Sequence, residues 1–403
     1  MASMSALPVD SAGALRIVHV FRAPLGGLFR HVIDLAAEQA ARGHDVGLFF
    51  DSGGGCARVE TALARIPGGP KLGVGLAPIA RAPRPSDLAA FTRFSRWLCA
   101  ANPHIIHGHG SKGGLLARAT RLMRIAPSAI RAYTPHGGSF NYRPGTASHR
   151  LYMTIERALA PSTDVFLFES AYIAQRFAAA AGGAPTFGRV VLNGLDPSDF
   201  ECATPNADAT EFLYVGELRA AKGLDTLIEA LLRTGGPGRP APRLTLVGSG
   251  PEKARLAALA REFGVADRIF MPGSMPFRAA AKLGRVLIVP SRVESLPYVV
   301  LEAAAAGMPM VATDVGGIRE IFGPFRKKLG PADDPADLSR RMTAMLEEKP
   351  HIRKAEADAL RAIVADRFTI AAMTDGVLAA YREALSRRLA RALGPEAVQE
   401  RVA

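Results

Sequence analysis

Glu294-Ser295-Leu296-Pro297-Tyr298-Val299-Val300-Leu301-Glu302, running on through Ala303-Ala304-Ala305-Ala306-Gly307-Met308-Pro309-Met310-Val311-Ala312-Thr313, is the stretch that decides the fold. It reads as a loop, a helix and a buried strand. Serine caps helices and proline fits their first turn, so Ser295 and Pro297 predict a helix over 296–306. Glu294 then sits just before the helix and Glu302 about two turns inside it. Eight residues at the helical rise separate the two carboxylates by roughly 12 Å. A pair flanking one glycosidic bond stands about 5–9.5 Å apart, so these two are not a hydrolase acid/base pair. The span suits a grip on an extended, hydroxyl-rich ligand, because carboxylates accept hydrogen bonds from vicinal hydroxyls.

Outward from this segment, short apolar runs alternate with amphipathic ones. Strands are predicted at 16–21, 45–50, 104–107, 130–133, 164–168 and 189–192, with helices at 27–42, 87–100, 112–125 and 170–180. After an Asp-, Pro- and Asn-rich break the alternation restarts. Strands follow at 211–215, 243–247, 268–271, 286–289 and 309–312, with helices at 224–233, 251–263, 296–306 and 337–347. This is an α/β pattern of parallel sheets with helices on both faces. It predicts two Rossmann-like, doubly wound domains facing each other across a cleft, with ligands at the carboxyl ends of the strands. The expected boundaries are a disordered start at 1–14, a first domain at 15–195, a linker at 196–210 and a second domain at 211–365. A C-terminal helix over 366–403 is expected to pack back toward the first domain. A single eight-fold βα barrel is the competing architecture, and the central break counts against it.

The 403 residues are 48% hydrophobic and 22% charged, the balance of a globular protein. Three well-separated cysteines (Cys56, Cys99, Cys202) form no CxxC pair and predict a reducing compartment without disulfides or zinc. No signal peptide or apolar stretch long enough to span a bilayer is visible, so a cytoplasmic protein is expected. The formal charge of +13 calls for an acidic partner. No recognition module for nucleic acid accompanies it. Arg118, Arg121 and Arg124 recur every third residue beside Leu115, Leu116, Leu122 and Met123, with Arg81, Arg84, Arg93 and Arg96 nearby. That pattern predicts a basic amphipathic face able to rest on an anionic membrane surface.

Several other segments carry chemistry. Val215-Gly216-Glu217-Leu218-Arg219-Ala220-Ala221-Lys222-Gly223 runs from a strand end into a helix start. Cations there, added to the helix dipole and free amides, make a diphosphate site of Arg219 and Lys222. Gly248-Ser249-Gly250 follows the next strand, where glycines permit close backbone approach. Pro24-Leu25-Gly26-Gly27 joins the opening strand to a helix. Thr134-Pro135-His136-Gly137-Gly138-Ser139 places His136 at a strand end, and histidine is the commonest acid/base residue. In His107-Gly108-His109-Gly110-Ser111-Lys112-Gly113-Gly114 two histidines at i, i+2 lack a Cys or carboxylate companion, so no metal is expected.

These motifs together resemble the GT-B glycosyltransferases of retaining family 4, over residues 16 to about 381. Glu294 and Glu302 match its E-x7-E signature, and the H-x-H-x-S-K-x-G run with T-P-H is similar to members that build bacterial exopolysaccharide or capsule. The resemblance implies transfer of a sugar from a UDP- or GDP-linked nucleotide diphospho-sugar to a saccharide or lipid-linked saccharide acceptor, with retention and without a metal or other cofactor. It implies that His136 and Glu294 orient the donor sugar at the reaction centre and that Glu302 holds the ribose. Gly26, Gly27, Gly216, Gly248, Gly250, Met271, Ser295 and Leu296 join Arg219 and Lys222 around the donor. His109 and Lys112 are assigned to the acceptor. Two departures stand out: Glu217 occupies the place of the family's arginine, and Arg319 replaces the proline of its G-G-I-P-E loop. A sugar-nucleotide epimerase, or a catalytically silent binding protein, on the same fold are the alternatives.

Overall fold

The computed structural model describes residues 13–53, 56–82, 84–143, 145–181, 187–235 and 241–393. All but two residues of the expected disordered start, and the last ten residues, lie outside that set. The chain divides into two compact units. One holds the described residues up to Gly194 together with those from Ile370 on, and the other is Leu195–Thr369.

The first unit alternates β1 (Arg16–Val20), α1 (Gly26–Ala41), β2 (Asp45–Asp51), α2 (Cys56–Leu63), β3 (Val74–Ala77), α3 (Ser86–Ala101), β4 (Ile105–His109), α4 (Gly110–Leu122), β5 (Ile130–Thr134), α5 (Ala147–Leu159), β6 (Val165–Phe168), α6 (Ala171–Ala181) and β7 (Gly188–Val190). Its described strands form one parallel sheet in the order β3-β2-β1-β4-β5-β6-β7. Every residue of β4, β5 and β6 is buried, as expected of strands covered by helices on both faces.

The second unit runs β8 (Thr210–Val215), α7 (Leu224–Arg233), β9 (Leu244–Val247), α8 (Lys253–Glu262), β10 (Ile269–Gly273), α9 (Phe277–Ala280), β11 (Gly284–Val289), α10 (Tyr298–Ala305), β12 (Met310–Ala312), α11 (Ile318–Phe322), α12 (Pro335–Glu347) and α13 (Pro350–Arg367). Its sheet is parallel in the order β10-β9-β8-β11-β12. Two open sheets exclude the barrel. The final helix, α14 (Ile370–Leu393), belongs to the first unit. Its stripe Met373, Val377, Tyr381 and Ala384, spaced for one helical face, packs on Ile17, Ile105, Ile130 and Val165.

The stretch 196–210, expected as a linker, is packed into the second unit. Asp196 makes a capping box with Asp199 over the turn Pro197–Phe200, and the Ala203 and Asn206 amides donate to Ala306 and Lys282 carbonyls. Its polar residues cap and turn the chain instead of spacing two domains.

The expected basic membrane stripe on α4 is also corrected. Arg118 is fully buried, with Nη1 donating to Glu156 Oε2 at 2.8 Å, Nε to the Gly114 carbonyl, and the guanidinium 3.9 Å from the Tyr133 ring centre. Arg121 pairs with Asp164. Glu156 Oε1 also accepts from the Tyr133 and Ser139 hydroxyls, so this ion pair braces the loop after β5. Arg118→Met leaves a buried carboxylate without its cation and is expected to cost about 3–5 kcal/mol in urea unfolding. Arg118→Met/Glu156→Gln should recover much of that loss.

In both sheets the strand order reverses direction at one place, between β1 and β4 and between β8 and β11. The crevice beyond the carboxyl ends at such a point is where ligands bind in open α/β sheets.

Candidate functional site

In the second unit the segments leaving β8 and β11 meet. β8 ends at Val215, and Gly216–Arg219 leads into a 3₁₀ turn, Ala220–Lys222, that delivers the chain to α7. β11 ends at Val289 and is followed by Pro290-Ser291-Arg292-Val293-Glu294. Lys222 Nζ lies 2.5 Å from Glu294 Oε1, which also accepts from the Ser291 hydroxyl at 2.7 Å. Both side chains are largely shielded, 15% and 8% exposed, so solvent screens the pair less than one at the surface. Arg292 ties the same loops together through Asp225, Asp333 and the Ala220 carbonyl. Ser291 and Arg292 were not singled out in the sequence, since neither stands at a motif position.

The glycines of these loops also meet protein backbone. A Cβ on Gly248 would sit 1.9 Å from the Gly216 carbonyl oxygen, and one on Gly250 would sit 2.3 Å from that of Leu218. Leu218 N donates to Ser249 O, and Glu252 N donates to Leu218 O. The loops after β8 and β9 are therefore locked backbone to backbone, and that contact demands glycine whatever binds there. Gly316, at φ +59°, lies against Glu294 in the same way, and Gly317 N donates to Ser295 O at 2.7 Å. Arg319, in place of proline, is the second residue of α11 and makes a two-point pair with Asp314.

Four donor-side expectations change in detail. Ser295 does not cap α10: the helix begins at Tyr298 after Pro297, without a side-chain cap. Residues 294–297 are not helical, so the helical rise does not measure the Glu294–Glu302 span. Glu302 is the fifth residue of α10 and its one charged side chain, partly buried. Leu296 is buried, whereas Met271 packs its side chain against the core, an arrangement compatible with the backbone contact to a base expected at this strand end. Arg219 Nε lies 3.4 Å from the exposed Glu217, so the residue in place of the family arginine partly neutralises its neighbour.

In the first unit Gly26 and Gly27 are exposed at the start of α1, which has no side-chain cap and no acid in its first turn. Those amides remain available to an anion. His136 follows β5 with φ +51°, and Gly137 and Gly138 continue in positive φ. A histidine held there is strained, a condition concentrated at ligand clamps. Ser111 Oγ accepts from Ser139 N and fixes the loop.

His109 ends β4 and Lys112 lies in the first turn of α4, so neither stands on a loop. Lys112 is mostly buried in a pair with Asp87 of α3. His109 is 1% exposed and belongs to a set of five histidines with His19, His31, His107 and His136. Strand alternation explains the gathering: His19 stands opposite His107 across β1 and β4, and His109 shares the face of His107. The same face carries Ile17 and Ile105, and α1 presents His31, Leu35 and Gln39 to it at spacing i, i+4, i+8. Burial lowers the affinity of all five for protons, with His19 and His31 pushed down to about 4.

Three-histidine sets, His19/His107/His109 and His31/His109/His136, are tight enough to surround an ion, which the H-x-H pair alone did not reveal. Yet His19 Nδ1 and His109 Nε2 are 2.9 Å apart, and His109 Nδ1 and His136 Nε2 are 3.1 Å apart. Two imidazoles on one tetrahedral zinc stand about 3.3 Å apart, given bonds of about 2.05 Å. These are hydrogen-bond lengths.

Known proteins align with both halves. Residues 25–199 match the model of "Glycosyltransferase Family 4", and residues 198–361 match that of "Glycosyl transferases group 1". The chain is similar to a glycogen synthase of Mycobacterium tuberculosis, 26% identical over 79% of this chain and 86% of that protein. A D-inositol 3-phosphate glycosyltransferase of Gordonia bronchialis is 27% identical over 93% of this chain and 87% of its own length. A GDP-mannose-dependent alpha-(1-6)-phosphatidylinositol monomannoside mannosyltransferase of M. tuberculosis is 31% identical over 59% and 65%. Among solved structures, Anabaena HepE in complex with UDP-glucose superposes with a TM-score of 0.75 at 18% identity, covering 92% of this chain and 99% of that one. Sucrose-phosphate synthase from Thermosynechococcus elongatus gives 0.74 at 19% identity, with 92% and 99% covered.

Proposed function

We propose that this chain, a GT-B glycosyltransferase formed by a Family 4 domain and a group 1 domain, moves a sugar from a nucleotide diphospho-sugar to a saccharide or lipid-linked saccharide acceptor. The transfer retains anomeric configuration and uses no metal. The observation that carries the reading is the shielded Lys222–Glu294 pair at the reversal point of the second sheet.

Lys222 and the amides at the start of α7 receive the diphosphate, with Arg219 adding charge that Glu217 moderates. Glu294 accepts hydrogen bonds from sugar hydroxyls, Glu302 from the ribose, and His136 from the sugar near the reacting carbon. The bond from C1 to the diphosphate oxygen breaks and its electron pair leaves on that oxygen, where Lys222 stabilises it. The acceptor hydroxyl oxygen bonds to C1 from the same face, and its proton passes to the departing phosphate oxygen.

The named relatives support two donor classes, since one is GDP-mannose-dependent and another is bound to UDP-glucose. Assembly of a surface polysaccharide on a lipid carrier places the enzyme at the inner face of the plasma membrane. No described helix is long and apolar enough to cross a membrane. Support for a surface contact comes from exposed Leu122, Met123 and Arg124, and from exposed Arg81, Arg84, Arg93 and Arg96.

A panel of UDP-, GDP- and ADP-sugars tests the donor by thermal shift. The matching donor at a hundredfold its Kd should add about 2.7 kcal/mol of stability. With that donor, turnover should require added acceptor. Epimerised nucleotide sugar formed without acceptor would sink the transferase reading, and no shift with any donor would leave only a silent binding protein.

A further inference from the structure

Four of the five clustered histidines, all but His136, have no part in the reaction as proposed. Two of these four, His19 and His109, form a continuous chain with Gln39 and His136. Gln39 Oε1 is 2.8 Å from His19 Nε2, His19 Nδ1 is 2.9 Å from His109 Nε2, and His109 Nδ1 is 3.1 Å from His136 Nε2. Gln39, His19 and His109 are buried, whereas His136 is partly exposed.

The direction of that chain follows from elementary valence. A carbonyl oxygen only accepts, so His19 Nε2 carries the hydrogen facing Gln39. Burial holds the imidazoles neutral, and a neutral ring has one N–H and one bare nitrogen. His19 Nδ1 is then bare and accepts from His109 Nε2–H. His109 Nδ1 is bare in turn and accepts from His136 Nε2–H. Each link fixes the next, and the last leaves His136 Nδ1 with a lone pair.

A second run beside it has the same one-way character. The Tyr381 hydroxyl lies 2.7 Å from His107 Nδ1, and His107 Nε2 lies 2.8 Å from Thr134 Oγ1. Burial pushes the Tyr381 hydroxyl up, so it keeps its proton and donates. His107 is thereby engaged at both nitrogens and does not compete for His109.

We propose that Gln39, His19 and His109 are positioning residues that lock His136 as its Nε2–H tautomer, so that Nδ1 is an obligate hydrogen-bond acceptor reserved for a hydroxyl group. The inference rests on the reading of His136 as a sugar contact and deepens it. A lone pair fixed at Nδ1 attracts an O–H and repels a phosphate or carboxylate oxygen. His136 therefore discriminates for a hydroxyl-bearing carbon of the sugar and takes no share in holding the diphosphate. Its positive φ and the Ser111–Ser139 bond keep the ring at the end of the chain.

The test reads the tautomer directly. Long-range ¹⁵N–¹H correlation spectra of the full chain, labelled at histidine and assigned with His136→Gln, should show His136 protonated at Nε2 and bare at Nδ1 at pH 7.5. Gln39→Leu removes the acceptor that sets the direction. The His136 signals should then move to a mixture of tautomers, and kcat/KM should fall about 10–100-fold, the usual scale for an outer partner of a functional histidine. Gln39→Glu keeps an acceptor in place, as a carboxylate does for the histidine of a Ser-His-Asp triad, and should restore the Nε2–H form and most of the rate.

His136 protonated at Nδ1 in the wild type overturns the proposal, even if His136→Gln abolishes transfer. Stoichiometric metal in the purified protein, lost in His109→Ala, overturns it as well by making the cluster a metal site. An intact Nε2–H signature with unchanged transfer in His136→Gln would instead refute the sugar-contact reading and leave the chain of bonds standing.

Discussion

Lys222→Met is expected to lower kcat/KM for glycosyl transfer by roughly 10²–10³-fold, the usual cost of removing one preorganised donor to a developing oxyanion. Two losses combine. The departing diphosphate loses its most shielded cation, and Glu294 loses the partner that lies 2.5 Å away. An unpaired carboxylate then faces the donor phosphates, a like-charge contact that the wild type avoids. The consequence is non-additivity. Glu294→Gln alone removes the carboxylate grip on the sugar hydroxyls but keeps the lysine. Lys222→Met/Glu294→Gln should be less impaired than the product of the two single effects, because the second change removes the repulsion left by the first. Steady-state kinetics of the four proteins close the cycle. Lys222→Met within threefold of wild type would remove the lysine from the diphosphate site.

That pair was partly legible in the sequence, because its members sit in local motifs. Lysine before a helix start and glutamate before a proline-started helix are readable from neighbours within ten residues. Their contact with each other, 72 positions apart, follows only from the adjacency of β8 and β11. The glycines show the limit of motif reading. Gly248 and Gly250 invite a ligand-approach explanation, yet the atoms they must avoid belong to Gly216 and Leu218. Sequence shows that a side chain is forbidden there but not what forbids it.

Strand–helix alternation made the fold legible, since parallel strands covered on both faces leave continuous apolar runs. Short and atypical elements escaped: β3, exposed at alternate positions on the sheet edge, and α5, whose apolar face is interrupted by the buried Glu156. Glu156 also explains the misread membrane stripe. Arg118 looks like a surface cation until its partner is known, and that partner lies 38 residues away on another helix. The histidine cluster was hidden for the same reason, although one signal was present. His107 and His109 alternate within a strand, so both side chains leave the same face. A helix carrying His31 and Gln39 two turns apart was available to cover that face.

Acid should unfold this protein well before its carboxylates titrate, and the histidine cluster is the reason. His19 and His31 are held down to about 4, and His107, His109 and His136 are also lowered, by burial and by one another. In the unfolded chain each returns to an ordinary value near 6.5. Between the two values the unfolded state binds more protons than the folded one, so stability rises with pH across that window. The contribution is fully present above about pH 6.5 and is lost as pH falls toward 4. For His19 and His31 the loss at pH 5 is about 2 kcal/mol each, against the 5–15 kcal/mol typical of a whole domain. His44 and His104, lowered by burial as well, act in the same direction. Asp34, on α1 between Arg30 and Arg65, acts in the opposite one, since burial raises its carboxyl. One acid cannot offset several histidines. Urea unfolding at pH 7.5, 6.5, 5.5 and 5.0 should show stability falling steeply below pH 6.5, with His31→Asn flattening the slope by up to about 1.4 kcal/mol per pH unit. A stability that stays level from pH 7.5 to 5.5 would mean that the folded imidazoles take up protons, and charge, at the same pH as the unfolded ones. That charge would break the one-way chain leading to His136, so the melting curves and the tautomer spectra must agree.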